Sequence, residues 1–292
     1  SDWEETLSVL PGSVNRDVSL EVLRRVPGVI RKKSGEMTLT TFNDRVIDVE
    51  AGDTSEHKYG IAFDIGTTSI VGSLINLETG ETLADVGGVN PQAVYGGDLM
   101  SRIAYAQFDT KKLATLRGKA LNAINDFVKD ACQKAKIEPS HVYKVVIVGN
   151  TCMHHILLGV DVTYVGLAPY APVIRNALTV PARDLPLKRA INAQVCFLPI
   201  VAGFVGADTM ACVLATRIYD SDEIRTLVDI GTNGEVVMGS KDGLMVCSAP
   251  AGPALEGAQI RHGMRGALGA IEKVVIEDDI SCTIIGDTPA VG

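Results

Sequence analysis

One order of residues occurs twice in the chain and limits what it can fold into. In Ile61-Ala62-Phe63-Asp64-Ile65-Gly66-Thr67-Thr68-Ser69-Ile70-Val71-Gly72 an apolar run ends in a carboxylate, a glycine and two hydroxyl residues follow, and a second apolar run leaves. Glycine lets the backbone turn sharply, so the pattern predicts a strand, a tight turn and a strand. Leu227-Val228-Asp229-Ile230-Gly231-Thr232-Asn233-Gly234-Glu235-Val236-Val237-Met238-Gly239 repeats it. Each copy then passes through a turn containing Gly80 or Gly243 into a third strand, Thr82 to Val86 or Leu244 to Cys247. Two such units predict a duplicated α/β domain whose halves face each other, one carboxylate per half.

The residue types suit phosphate chemistry. The amides of Gly66, Thr67 and Thr68, and of Gly231, Thr232 and Asn233 in the second copy, can point into a concavity that holds an anion. Asp64 and Asp229 are candidates for catalysis and for magnesium, which keeps several waters and needs only one or two carboxylates besides the phosphates. A single Asp-X-Gly also reads as an ordinary tight turn. The repetition is what favours the phosphate reading.

At 292 residues the chain can hold one large or two ordinary domains, and 46% hydrophobic against 21% charged residues allows a sizeable core. A net charge of −8 argues against nucleic acid as a partner, because backbone binding runs on Lys and Arg. The longest apolar stretch, Cys196 to Thr216, contains Pro199, Gly203, Gly206 and Asp208, and reads as a buried strand, a loop and a helix rather than a membrane span. Cysteines 132, 152, 196, 212, 247 and 282 form no Cys-X-X-Cys pair and sit mostly in apolar surroundings. They read as free buried thiols of a cytoplasmic protein, with no iron-sulfur centre in this chain.

Residues 1–57 read as a separate small α+β domain and linker. Val18 to Val26 suits a short helix, and Glu36 to Phe42 with Arg45 to Val49 alternates like a hairpin across Asn43-Asp44. In Asn90 to Arg102, Asp98 is placed to cap a helix beginning near Leu99. Leu113, Leu116, Ala120, Ile124, Phe127 and Ala131 recur at helical spacing and predict an amphipathic helix over a sheet. Val145 to Val148 is continuously apolar and predicts a strand buried on both faces, ending at a strand-to-helix turn where Gly149 and Asn150 can contact a nucleotide or its water. His154 and His155 point about 100 degrees apart on a helix and read as packing or capping residues rather than metal ligands. Asp208 can cap a helix from Thr209 to Tyr219, and Ala249 to Ala258 reads as a loop entering a helix with Glu256 near its positive end. Ile271 to Gly292 reads as two strands around Glu277-Asp278-Asp279.

The paired Asp-Ile-Gly-Thr turns resemble the two phosphate motifs of the superfamily that contains actin, hexokinase, acetate kinase and the heat-shock chaperone ATPases. Within it, Asn90 to Arg102, Gly149 to Gly159, Ala202 to Met210 and Ala251 to Met264 resemble the reductive activators of corrinoid proteins, from about Val18 to the C-terminus. The resemblance implies an actin-like (ribonuclease H-like) fold with a first ATPase lobe over 58–225 and the start of a second, apparently incomplete, over 226–292, its adenosine-binding Gly-rich motif expected beyond Gly292. It implies ATP and Mg2+ as cofactors, a [2Fe-2S] cluster in the full-length protein, and a corrinoid protein as partner reduced from Co(II) to Co(I); a homodimer is compatible with it. It also implies that Asp208 orients the attacking water and that Gly252 and Glu256 border the nucleotide. Two alternatives stay open: a small-molecule kinase of the same superfamily, which would need a base for its acceptor, and a nucleotide-driven interaction module.

Overall fold

The computed structural model describes residues 1–8, 10, 12, 14, 15, 17–231, 233–250, 261–264, 269–277, 279–285 and 288–291. The N-terminal part contains α1 (Asp2–Ser8), α2 (Leu20–Ile30) and a hairpin of β1 (Met37–Phe42) and β2 (Arg45–Ala51). Asn43 and Asp44 both take positive φ (47° and 61°), as a two-residue turn that follows the strands' twist requires. The helix differs from the span the sequence predicts. It starts only after Ser19, whose hydroxyl accepts from the Val22 amide, and continues past Pro27 to Ile30, because Val22 and Val26 are buried against Val46 and Val49 of β2. Tertiary packing here outweighs the proline's lost hydrogen bond.

The next strands are β3 (Tyr59–Ile65), β4 (Ser69–Asn76) and β5 (Thr82–Val89), followed by α3 (Leu99–Ala106), α4 (Thr110–Ala135), β6 (Val142–Gly149), α5 (Thr151–Leu158), β7 (Leu178–Pro181), β8 (Gln194–Phe197) and α6 (Ala207–Thr216). They build one six-stranded sheet in the order β5-β4-β3-β6-β8-β7. β3, β4 and β5 form an antiparallel meander, β3 runs parallel to β6 and β6 to β8, and β7 is antiparallel to β8. α4 covers one face, burying Leu113, Leu116, Ala120, Leu121, Ile124, Val128, Ala131 and Cys132, while Phe127 is half-buried at the margin.

β6 corrects a second expectation. Val145 and Ile147 are fully buried, but Val146 and Val148 on the other face are only half-buried. His154 and His155 are buried in α5. His155 Nδ1 lies 2.8 Å from the Thr151 carbonyl, and its Nε2 accepts from the Val173 amide at 3.0 Å. His154 packs edge-on against Phe197, and burial pulls it down to about pH 4 for titration. Both histidines are therefore neutral packing residues.

Among the described residues the C-terminal part consists of β9 (Arg225–Ile230), β10 (Asn233–Ser240) and β11 (Gly243–Pro250), a meander in the order β11-β10-β9, and a hairpin of β12 (Ile271–Ile276) and β13 (Ile280–Ile284). Val228, Ile230, Met245, Ile276 and Ile280 are exposed on these strands. Cys247 and Cys282 are exposed as well, contrary to the expectation of buried thiols; of the six free cysteines Cys132 and Cys152 are fully buried.

Candidate functional site

Both repeated turns stand at the end of the first strand of a three-stranded meander, and they open onto one cleft of about 190 Å³. Asp64, Gly66, Thr67, Thr68, Asn150, Asp208, Asp229, Gly231, Asn233 and Glu235 line it. The structure thus brings together most of the residues singled out in the sequence. Thr232, Gly252 and Glu256 lie outside the described residues. Larger hollows of about 730 and 710 Å³ open elsewhere, one between the N-terminal part and β7 and one beside α4, and neither contains either Asp-Ile-Gly turn.

The first turn is held from behind. Gly66 O accepts from Asn90 Nδ2 at 2.8 Å, Thr67 O from Arg102 Nη2, and Thr68 O from the Asn90 amide at 2.8 Å. Asn90, Gln92 and Arg102 are completely buried. With the three carbonyls occupied, the amides of residues 66–68 are the turn's remaining backbone polar groups, and none donates to a backbone acceptor among the described residues. Gly66 has no room for a side chain, since a Cβ would lie 2.8 Å from Ser69 O. On the other flank, Asn150 Oδ1 caps α5 through the Met153 amide at 3.0 Å while its Nδ2 reaches Thr67 Oγ1 at 3.1 Å. Gly149 has φ +153°, and a Cβ there would lie 2.6 Å from Ile65 O. Asp98 caps α3 through the Ser101 amide at 2.8 Å, as its position in the sequence predicts, and does not line the cleft.

Asp208 is placed differently from its predicted cap. α6 begins at Ala207 with Gly206 as its N-cap, so Asp208 sits in the first turn, its Oδ1 accepting from the Thr209 amide at 2.7 Å. The helix ends at Thr216, and Tyr219 belongs to a separate short turn of 3-10 helix. The reason is steric: a Cβ on Gly206 would lie 2.5 Å from Gly149 O and from Asn150 Cα, so only glycine lets α6 start against the end of β6.

Glu235 is a cleft residue that the sequence reading missed. It stands directly opposite Asp229 in the β9/β10 register, whereas Asp64 stands opposite Val71 in β3/β4. The hairpins differ because Ile65 pairs with Ile70 but Ile230 with Gly234, which makes the second loop one residue shorter. Counting outward from the turn as a hairpin would have paired Asp229 with Glu235. Like charges directly opposed across a ladder are unfavourable, and Glu235 Oε1 is held by Ser248 Oγ at 2.9 Å on β11.

The electrostatics agree that the four carboxylates converge. Lost hydration among the cleft walls, then the charge of Asp229, raises Asp64 even though its edge is exposed. Burial pushes Asp208 up to about 6, with Asp64, Glu235 and Asp229 adding to it against the Thr209 amide. Glu235 is raised by burial and by Asp229 against its bond to Ser248. The Cys212 thiol on α6, 4.0 Å from Asp229 Oδ2, is raised by burial and by all four acids. None of the four forms an ion pair among the described residues. No group of three or more His, Cys, Asp and Glu side chains among the described residues could cage a metal by itself. Clustered acids without a protein counter-charge, beside free turn amides, do fit a hydrated magnesium ion that completes its shell with water and phosphate oxygens.

A sheet in the order β5-β4-β3-β6-β8, antiparallel over its first three strands and followed by a second meander of the same pattern, defines an actin-like ATPase fold. The chain belongs to the RACo family: the RACo middle region matches residues 59–221, the C-terminal domain of RACo, the ASKHA domain, matches 223–292, and the RACo linker region matches 1–56. It is 38% identical over 251 residues to the corrinoid activation enzyme RamQ of Eubacterium limosum, across 85% of this chain and 42% of that protein. It is 29% identical over 222 residues to the [Co(II) methylated amine-specific corrinoid protein] reductase of Methanosarcina barkeri, across 73% of this chain and 40% of that protein. A solved structure of a reductive activator for a corrinoid, iron-sulfur protein superposes with a TM-score of 0.81 at 36% identity, over 94% of this chain and 45% of the other. The chain therefore spans less than half the length of each of these relatives. No helix among the described residues is long and apolar enough to cross a membrane.

Proposed function

We propose that these residues are the ATP-binding and ATP-hydrolysing part of a cytoplasmic protein that activates a corrinoid protein by reducing its cobalt from Co(II) to Co(I). The observation that carries this reading is the convergence of two Asp-Ile-Gly turns, from two different sheets, on one acidic cleft. Asp64 and Asp229, which both line the cleft, would hold the magnesium. We assign phosphate oxygens to the amides of Gly66, Thr67, Thr68 and Asn233; the Gly231 amide instead donates to Asn233 O at 3.2 Å and so shapes the second turn, and Thr232, Gly252 and Glu256 are assigned to the same nucleotide. Gly149 lets β6 end close against Ile65, and Asn150 fixes the first turn against α5. Asp208 holds its proton to about pH 6, which suits a group that positions water and accepts a proton near neutrality. Bound there, a magnesium nucleotide supplies a cleavable phosphoanhydride and a counter-charge for the acids.

A reduced [2Fe-2S] cluster held outside these residues would supply the one electron that takes Co(II) to Co(I) and would itself be oxidised. The two turns sit on separate sheets, so a nucleotide binds best when the sheets are drawn together, and it shifts the protein toward that arrangement only by its differential affinity. The test uses the full-length protein. Asp229→Ala should abolish the ATP-dependent absorbance change from Co(II) to Co(I) while a chemical reductant still bleaches the cluster. Normal corrinoid activation by the variant would remove Asp229 from the mechanism.

A further inference from the structure

Arg102 on α3 is buried to 0% exposure, and every partner it has is neutral. Its Nε donates to Gly96 O at 2.9 Å, Nη1 to Gln92 Oε1 at 3.1 Å and Met153 Sδ at 3.4 Å, and Nη2 to Thr67 O. No carboxylate among the described residues forms an ion pair with it. Asp98, whose charge does reach it, is exposed and spends Oδ1 on the Ser101 amide. Cys152 beside it stays a neutral thiol, pushed up to about 12 by burial. A guanidinium does not deprotonate in a protein, so a full positive charge is stored in the core. Burying a charge without a counter-ion is costly, and such groups persist where something else repays the cost.

The location shows what would repay it. Arg102 donates to the carbonyl of Thr67, and residues 66–68, whose amides have no backbone acceptor among the described residues, line the acidic cleft. Gly96, whose carbonyl takes Nε, packs against the helix backbone: a Cβ there would lie 2.7 Å from the Arg102 amide nitrogen. A cation behind an amide cradle raises the potential in front of it, with little solvent between to screen the effect. It also partly offsets the repulsion that the four cleft acids exert on any phosphate.

We propose that Arg102 is a positioning and electrostatic residue for an anion held at Gly66 to Thr68, locking the turn through Thr67 and supplying the buried positive charge that a bound polyphosphate answers. This rests on the reading of the cleft as a nucleotide site. A purely structural arginine would affect all ligands of the cleft alike, whereas this one discriminates by ligand charge. The test titrates the full-length protein, with Mg2+ present, with ATP, ADP and adenosine, comparing wild type, Arg102→Gln and Arg102→Lys.

The expected result is an ATP affinity weakened about tenfold or more in Arg102→Gln, equal to about 1.4 kcal/mol, with a smaller loss for ADP and adenosine within about twofold. Arg102→Lys keeps the charge and should stay within about threefold of wild type for all three ligands. Equal losses for ATP and adenosine, or a lysine variant more than threefold weaker for ATP, would overturn the assignment. If the glutamine variant fails to fold, the same threefold limit on the lysine variant decides it. Wild-type protein that binds neither ATP nor ADP would instead overturn the reading of the cleft itself.

Discussion

Asp229→Asn should make the ligand-free protein more stable and the nucleotide-bound protein less so. In the free cleft Asp229 faces Glu235 directly across β9 and β10, and its charge also bears on Asp64 and Asp208. A directly opposed like-charge pair costs up to about 1 kcal/mol, and two more distant acids add a few tenths each. Removing one charge while keeping the side chain's shape should thus stabilise the free protein by roughly 1 kcal/mol, or about 2–4 °C in Tm for a domain of this size. Wild type should in turn gain about 2.7 kcal/mol from magnesium and ATP at a hundred times the dissociation constant, roughly 5–10 °C. The variant, short of one magnesium carboxylate, should gain almost nothing. Thermal unfolding of the full-length protein, with and without ligand, gives all four values. A lower ligand-free Tm in the variant, or an undiminished shift with magnesium and ATP, would refute the claim that the acids are held together for a cation.

Two further outcomes follow from the same cleft and from the contact between the N-terminal part and the first sheet. Because Asp208 titrates near 6 in the fold against an ordinary value of 3.8, the folded state holds its proton more tightly. Its contribution to stability is full below about pH 4 and is lost as pH rises through 6. Asp208→Asn should flatten the fall in ligand-free Tm between pH 4 and 7, and an unchanged pH profile would show that Asp208 is not the titrating group. Asp48, fully buried on β2, accepts from Arg25 of α2 and from Asn192 Nδ2 at 2.7 Å, next to β8. Asp48→Ala should cost about 1–2 kcal/mol, since it removes both hydrogen bonds while Arg25 and Asn192 keep access to water, and protease cleavage between residues 52 and 58 should speed up. Unchanged cleavage would mean that this contact does not fix the N-terminal part.

Much of the cleft is legible in the sequence because its pieces are local. An apolar run, Asp, Gly and hydroxyl residues determine a strand and its turn within a dozen positions, and the repetition at 229 shows that there are two. Asp98 could be read as a helix cap for the same reason, since a cap depends on amides two or three residues away. The amphipathic period of α4 marks its buried face without knowledge of what it covers.

The rest required tertiary structure. Asp208 lies in the first turn of α6 rather than ahead of it because Gly206 must pack against Gly149 and Asn150, residues distant in sequence. Glu235 enters the cleft through a hairpin register set by a loop one residue shorter than its counterpart. Arg102 closes the Asn90-to-Arg102 stretch that the resemblance puts at the border of the cleft, but nothing local in the sequence shows that it is buried. Only the packing of α3 under the first turn buries it, leaves it with neutral partners and turns it toward Thr67. Local sequence determines which backbone groups a segment needs to satisfy. Which charges end up near one another depends on how remote segments pack, and the chemistry of this cleft depends on those charges.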